Sequence, residues 1–359
     1  MKYCGICGHC NDDNAKFCGG CGAAFQMTSF SQEEANPSWV NHINDYVGND
    51  KPADLNWRVL FTDVLKKHSK TEAENIFICG TRSTTPTIDS VSQNWPHPWL
   101  YSRVFLMLAV AFFLLYICCA LFENTNAIPG LIVVGSFTVP LSGLVLFLEV
   151  NAYRNVSLYD IALIFLVGGC ASLVTTLFLF SIINVNELDF IGALTVGVIE
   201  EVGKAVIVYY FIKKLGKRNI LPGLLIGAAV GAGFAAFESA GYAFNHLLGG
   251  GWDIMLDVIF LRGILAPGGH IAWAAIAGAA MAIASKEYGE VCSDVLTNRK
   301  FLRLFIIPIL LHAIWDSPLA NIGADIYFLP ILLTFVVWVI VLILINMGLS
   351  EIAKHKMRY

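Results

Sequence analysis

The sequence predicts an all-α fold: a polytopic membrane bundle of about eight transmembrane helices, preceded by a small zinc-ribbon module. Three observations carry that reading. The 359 residues are 57% hydrophobic and 14% charged, whereas soluble domains are about 45–50% apolar and about 25% charged. From Tyr101 onward the apolar residues gather into runs long enough to cross a hydrocarbon core of about 30 Å. Half of the ten Cys fall in the first 21 residues. A net charge of −4 and a pI near 6.1 give no basic field for phosphate, so nucleic acid is not an expected partner.

The apolar runs lie at roughly 102–122, 128–150, 158–183, 190–212, 221–245, 257–285, 302–320 and 327–349. In lipid each must satisfy its own backbone polar groups, which makes every run a helix. The loops after the second, fourth and sixth runs hold Arg154, then Lys213, Lys214, Lys217 and Arg218, then Lys286, Arg299, Lys300 and Arg303. The other loops hold Glu123, Glu187, Asp189, Asp253 and Asp325 without Lys or Arg. Basic loops stay inside, so the expectation is a multi-pass cell-membrane protein with both termini cytoplasmic. Gly- and Ala-rich stretches at 227–233 and 274–280 permit close helix approach and predict that the fifth and sixth helices are central.

Residues 1–25 read as a zinc ribbon. Cys4-x-x-Cys7 and Cys18-x-x-Cys21 are each followed by Gly, which lets the chain turn tightly behind the second ligand of a four-thiolate structural zinc site. A cytoplasmic head keeps these thiols reduced, and the ribbon is a docking module for a cytoplasmic protein partner. The start lacks a positive region leading into an apolar one, so no signal peptide is expected. Residues 26–100 form a polar linker with short amphipathic helices over 38–47 and 54–65. Residues 101–350 are the membrane domain, and 351–359 a basic cytoplasmic tail.

Function is expected where polar side chains are costly, because a charge at the bilayer centre costs about 2.5–3.5 kcal/mol even on insertion scales. The fourth run holds Glu200-Glu201-Val-Gly-Lys204, the fifth Phe234-Ala-Ala-Phe-Glu238, the sixth His270, and the seventh His312-Ala-Ile-Trp-Asp316. Spacings of three and four residues set each group on one helix face. Arg262, near the outer boundary, reads as a snorkelling side chain. Carboxylates beside histidines suit hydrolysis with water as nucleophile, and no Ser or Cys is convincingly set for acyl-enzyme chemistry. The same histidines and carboxylates are also a donor set for a catalytic metal, although there is no HExxH motif. Acids and histidines at the midplane would equally serve a proton- or ion-coupled transporter, and a zinc ribbon on a membrane anchor would serve an adaptor.

In order, Glu-Glu-x-x-Lys (200–204), Phe-x-x-x-Glu (234–238) and His-x-x-x-Asp (312–316) resemble the three motifs of the PrsW family of intramembrane proteases, related to the CAAX prenyl proteases. The resemblance covers about residues 100–350. It implies glutamate-dependent cleavage of membrane-anchored protein substrates, anti-sigma factors being the family's known type. By that resemblance Glu200 and Glu201 activate water, Lys204 balances their charge, and Glu238, His312 and Asp316 complete the site. His270 is added on depth alone.

Overall fold

The computed structural model describes residues 2–3, 9–11, 15, 19–21, 37–49, 51–321 and 327–357. The chain divides into two compact units, Met1–Val40 and Asn41–Tyr359. In the first, strands β1 (Lys2–Tyr3) and β2 (Cys10–Asn11) pair antiparallel. Of the expected zinc ligands, Cys4, Cys7 and Cys18 lie outside the described residues, and Cys21 sits exposed in a turn.

The rest is helical. Helix α1 (Ser38–Val47) falls on the first expected amphipathic stretch. The second, 54–65, is instead a 3-10 turn at Trp57–Leu60 followed by further turns. Carbonyls in it and just after it serve neighbours: Tyr101 Oη donates to Leu60 O and Arg103 to Lys66 O. Helix α2 (Lys70–Ile78) was not expected, yet its start is marked by a capping box in which Ser69 accepts from the Glu72 N–H and Glu72 accepts from the Ser69 N–H.

A helical segment meets every apolar run. In order these are α3 (Leu100–Ala120), α4 (Ile128–Val150), α5 (Leu158–Leu163) joined through a π-turn to α6 (Gly169–Ile182), and α7 (Phe190–Leu215). Then come α8 (Ile220–Gly250), α9 (Trp252–Leu265), α10 (His270–Tyr288), α11 (Arg299–Asp316) and α12 (Phe328–Lys356). Among the described residues six helical stretches are long and apolar enough to cross a membrane. Helices α7 and α11 are more charged than these: α7 carries Glu200, Glu201 and Lys204 mid-helix, and α11 carries Arg299, Lys300, Arg303 and Asp316.

Contacts gather the basic loops at one end of the bundle. Glu351 of α12 accepts from the Ile220 N–H at the start of α8 and from Asn219, and pairs with Lys286 at 3.1 Å. Asn219 also donates to Tyr153 Oη, and Tyr46 Oη donates to Arg303 O. Glu149, closing α4, accepts the free N–H groups of Trp99, Leu100 and Tyr101 at 2.8–2.9 Å and so caps α3 from the next helix.

Helix α8 is central, with nearly all of its apolar stretch buried. It lies against α10 along a stripe of small residues. A Cβ on Gly223 would stand 2.6 Å from Gly278 O, one on Gly227 2.0 Å from Ala274 O, and one on Gly231 2.2 Å from His270 O. These spacings of four residues on both helices allow backbone contact over two turns and fix the position of His270. The sixth run is broken rather than continuous: Pro267 cannot continue the α9 ladder, and α10 restarts at His270 after Gly268 and Gly269. The break is covered by α12, whose Trp338 Nε1 donates to Pro267 O at 3.0 Å. Gly227→Val should therefore separate α8 from α10 and lower the thermal midpoint of the detergent-purified protein. Gly241→Ala, where a Cβ meets nothing within 4 Å, should leave it unchanged. Equal midpoints for the two variants would refute this packing.

Candidate active site

Four helices converge where the polar residues of the fourth to seventh runs meet. Counting about 1.5 Å per residue from their basic-end termini puts Glu200 of α7 at about 22 Å, Glu238 of α8 at about 27 Å and His312 of α11 at about 20 Å. All three groups therefore stand nearer the acidic-loop ends of their helices than the basic ends.

All seven positions picked out from the sequence fall in one connected cluster. Glu201, fully buried, accepts from Lys204 Nζ at 2.7 Å and from His312 Nδ1 at 2.8 Å, both at Oε1. His270 accepts from Lys204 Nζ at Nδ1 (2.8 Å) and donates from Nε2 to Glu238 at 3.1 Å. Glu200 Oε2 faces both histidines, 3.8 Å from His312 Nε2 and 4.0 Å from His270 Nδ1, with Lys204 Nζ at 3.6 Å. Asp316 stands 3.3 Å from His312 Nε2 at the partly exposed rim.

Arg262 does not snorkel. Its guanidinium donates to Glu238 and, through Nε, to Ser239 Oγ at 2.8 Å, while lying over the Tyr242 ring. Its depth, a turn inside the boundary on the helix before His270, was the available signal; the pairing with Glu238 follows only once α9 folds back along α8. Trp273, one turn after His270, was also missed. Its indole stacks on His312 with centroids 4.5 Å apart and meets His270 edge-on at 5.2 Å, fixing both imidazoles.

The set also fits a metal ion. One ligand atom each from Glu200, His270 and His312 lie within 4.8 Å of one another. Two histidines and a glutamate form a donor set that catalytic zinc takes, with a further position left for water. Glu200 Oε2 and Glu201 Oε2 are buried with no hydrogen-bond partner, which an ion or water would supply. Each histidine has a carboxylate behind it, Glu201 at His312 Nδ1 and Glu238 at His270 Nε2, as outer partners do at metal centres. Formally, the four carboxylates Glu200, Glu201, Glu238 and Asp316 against Lys204 and Arg262 leave a charge of −2 with neutral histidines, which a divalent cation would cancel.

A family comparison matches residues 158–345 to the PrsW family intramembrane metalloproteases, so the match spans the helices that build this cluster. No curated protein and no solved structure shows significant similarity to the chain.

Proposed function

We infer the reaction from one premise: the chain belongs to the PrsW family of intramembrane metalloproteases. It is a protease of the membrane, a multi-pass protein that hydrolyses membrane protein substrates within the bilayer. The reaction is assigned to the Glu200–Glu201–Lys204–Glu238–His270–His312–Asp316 cluster. The observation that carries this is the convergence of Glu200, His270 and His312 from three helices, each histidine backed by a carboxylate.

Glu200, His270 and His312 would hold one divalent ion, which when bound polarises a peptide carbonyl and acidifies a water molecule. The chain's own residues do the rest. Glu201 holds the Nδ1 proton of His312, so its Nε2, which Asp316 faces at 3.3 Å, keeps the lone pair; Glu238 holds the Nε2 proton of His270, so its Nδ1, which Lys204 reaches at 2.8 Å, keeps the lone pair. As the water oxygen attacks the carbonyl carbon, the Glu201 carboxylate takes the proton and returns it to the amide nitrogen when the C–N bond breaks. Lys204, set 2.7 Å from Glu201, balances the charge of that carboxylate. A second reading, glutamate-activated water without a metal, is favoured by one contact: the Lys204 ammonium sits 2.8 Å from His270 Nδ1, the nitrogen a metal would use.

Substrates of this kind are single-pass, membrane-anchored proteins, and regulated proteolysis of anti-sigma factors is the form the family resemblance suggests. Depth supports cleavage in the half of the bilayer away from the basic loops. The proposed orientation has both termini and those loops in the cytoplasm, in an eight-span topology, with a four-thiolate zinc ribbon at Cys4, Cys7, Cys18 and Cys21 recruiting a cytoplasmic partner. Cysteines introduced at Lys217 or Asn298 should then be labelled only from inside, and those at Asn186 or Gly250 only from outside; the reverse pattern overturns the orientation. The function is tested by comparing membrane proteomes of cells making the wild type and Glu201→Gln. Full-length single-pass proteins should accumulate with the variant, and identical proteomes would contradict the assignment.

A further inference from the structure

We propose that residues 57–67 are an interfacial anchor, lying in the headgroup layer at the basic end of the bundle and binding anionic lipid. The segment is two-sided. Val59 and Leu60 are buried, whereas Trp57 and Phe61, in edge contact with ring centroids 6.5 Å apart, and Leu65 are more than half exposed.

Its height is fixed by α3. Tyr101 Oη donates to Leu60 O at 2.9 Å and Arg103 donates to Lys66 O at 3.1 Å, and both donors belong to the first turn of that helix. A span that begins at Leu100 brings its first turn to the membrane surface, so the segment bound to it sits there too. The exposed side chains also adjoin a lipid-facing surface. None of the apolar stretch of α3 is buried inside the protein, and Phe105, Leu106 and Met107, shortly after Arg103, are exposed.

Charge selects the lipid. Within the segment Arg58, Lys66 and Lys67 border the apolar residues against Asp63, which Lys66 already pairs at 2.7 Å; Lys70, just beyond, is paired with Glu74 at 3.3 Å. Arg58 lies 5.8 Å from the centre of the Trp57 ring. An aromatic and aliphatic tip bordered by cations is the composition that enters an anionic headgroup layer. Nothing in this inference depends on the protease site.

The test uses the full-length protein in nanodiscs of phosphatidylcholine, with and without phosphatidylglycerol, and two reagents read by mass spectrometry. One is a phospholipid with a diazirine near the headgroup end of its acyl chain; the other is aqueous hydroxyl radical. Trp57, Phe61 and Leu65 should take the lipid label as strongly as Leu106 and Met107 and be shielded from the radical. Phosphatidylglycerol should raise their label several-fold, and Lys66→Glu/Lys67→Glu should abolish that gain while leaving α3 labelled. Lipid label on α3 alone, with Trp57 oxidised freely, overturns the proposal. Protection from both reagents overturns it as well, since the patch would then be covered by a second copy or another protein. Labelling independent of phosphatidylglycerol overturns the assignment to anionic lipid.

Discussion

The Glu201→Gln protein is expected to cleave its substrate about 10²–10⁴-fold more slowly than wild type, the usual contribution of a positioned general base. Gln keeps the size and one carbonyl oxygen of Glu201, so His312 Nδ1 and Lys204 retain an acceptor and the fold should hold. What is lost is the ability to take the proton of the attacking water. The measurement is the initial rate on a single-pass reporter in liposomes, with thermal midpoint and substrate capture read in parallel. A loss of rate accompanied by unfolding would report only the cost of an unmatched Lys204 inside the bundle. Unchanged cleavage by a folded protein would remove Glu201 from the mechanism.

The second large effect is expected behind His270. Glu238 holds its Nε2 proton, and Arg262 in turn holds Glu238. Removing outer partners of a ligand histidine typically costs about 10–100-fold in metal affinity or activity. Arg262→Gln and Glu238→Gln should each lose activity in that range, chiefly in kcat, and their losses should not add, because both act through one imidazole. Arg262→Lys should recover part of the loss, since one donor to Glu238 remains. Additive losses, or a change in KM alone, would place Arg262 in substrate binding instead.

Much of this is legible in the sequence. Glu200, Glu201 and Lys204 share one turn of α7, and His312 and Asp316 one turn of α11, so helical spacing alone united each set. The cost of charge in lipid then made their convergence in one cluster the economical expectation, His270 included. Arg262 was misread because an arginine near a boundary has two outcomes, reaching for water or for a buried acid. Only the return of α9 along α8 decides between them. The stretch at 54–65 was misread for a related reason: its apolar spacing suits a helix, but Tyr101 at the start of α3 takes the Leu60 carbonyl. The break at Pro267 was readable, yet the length of the sixth run hid it.

The most direct test of the central claim, that Glu200, His270 and His312 hold a catalytic metal, is zinc stoichiometry joined to chelation in the full-length protein. The account predicts two zinc ions per chain in the wild type, one in His270→Ala/His312→Ala, and one in the Cys4→Ser/Cys7→Ser/Cys18→Ser/Cys21→Ser protein. That last protein should still cleave, lose cleavage with a strong chelator, and regain it when zinc is restored. Full cleavage by that four-serine protein after chelation, with no zinc bound, would contradict the account and leave the glutamates to activate water alone.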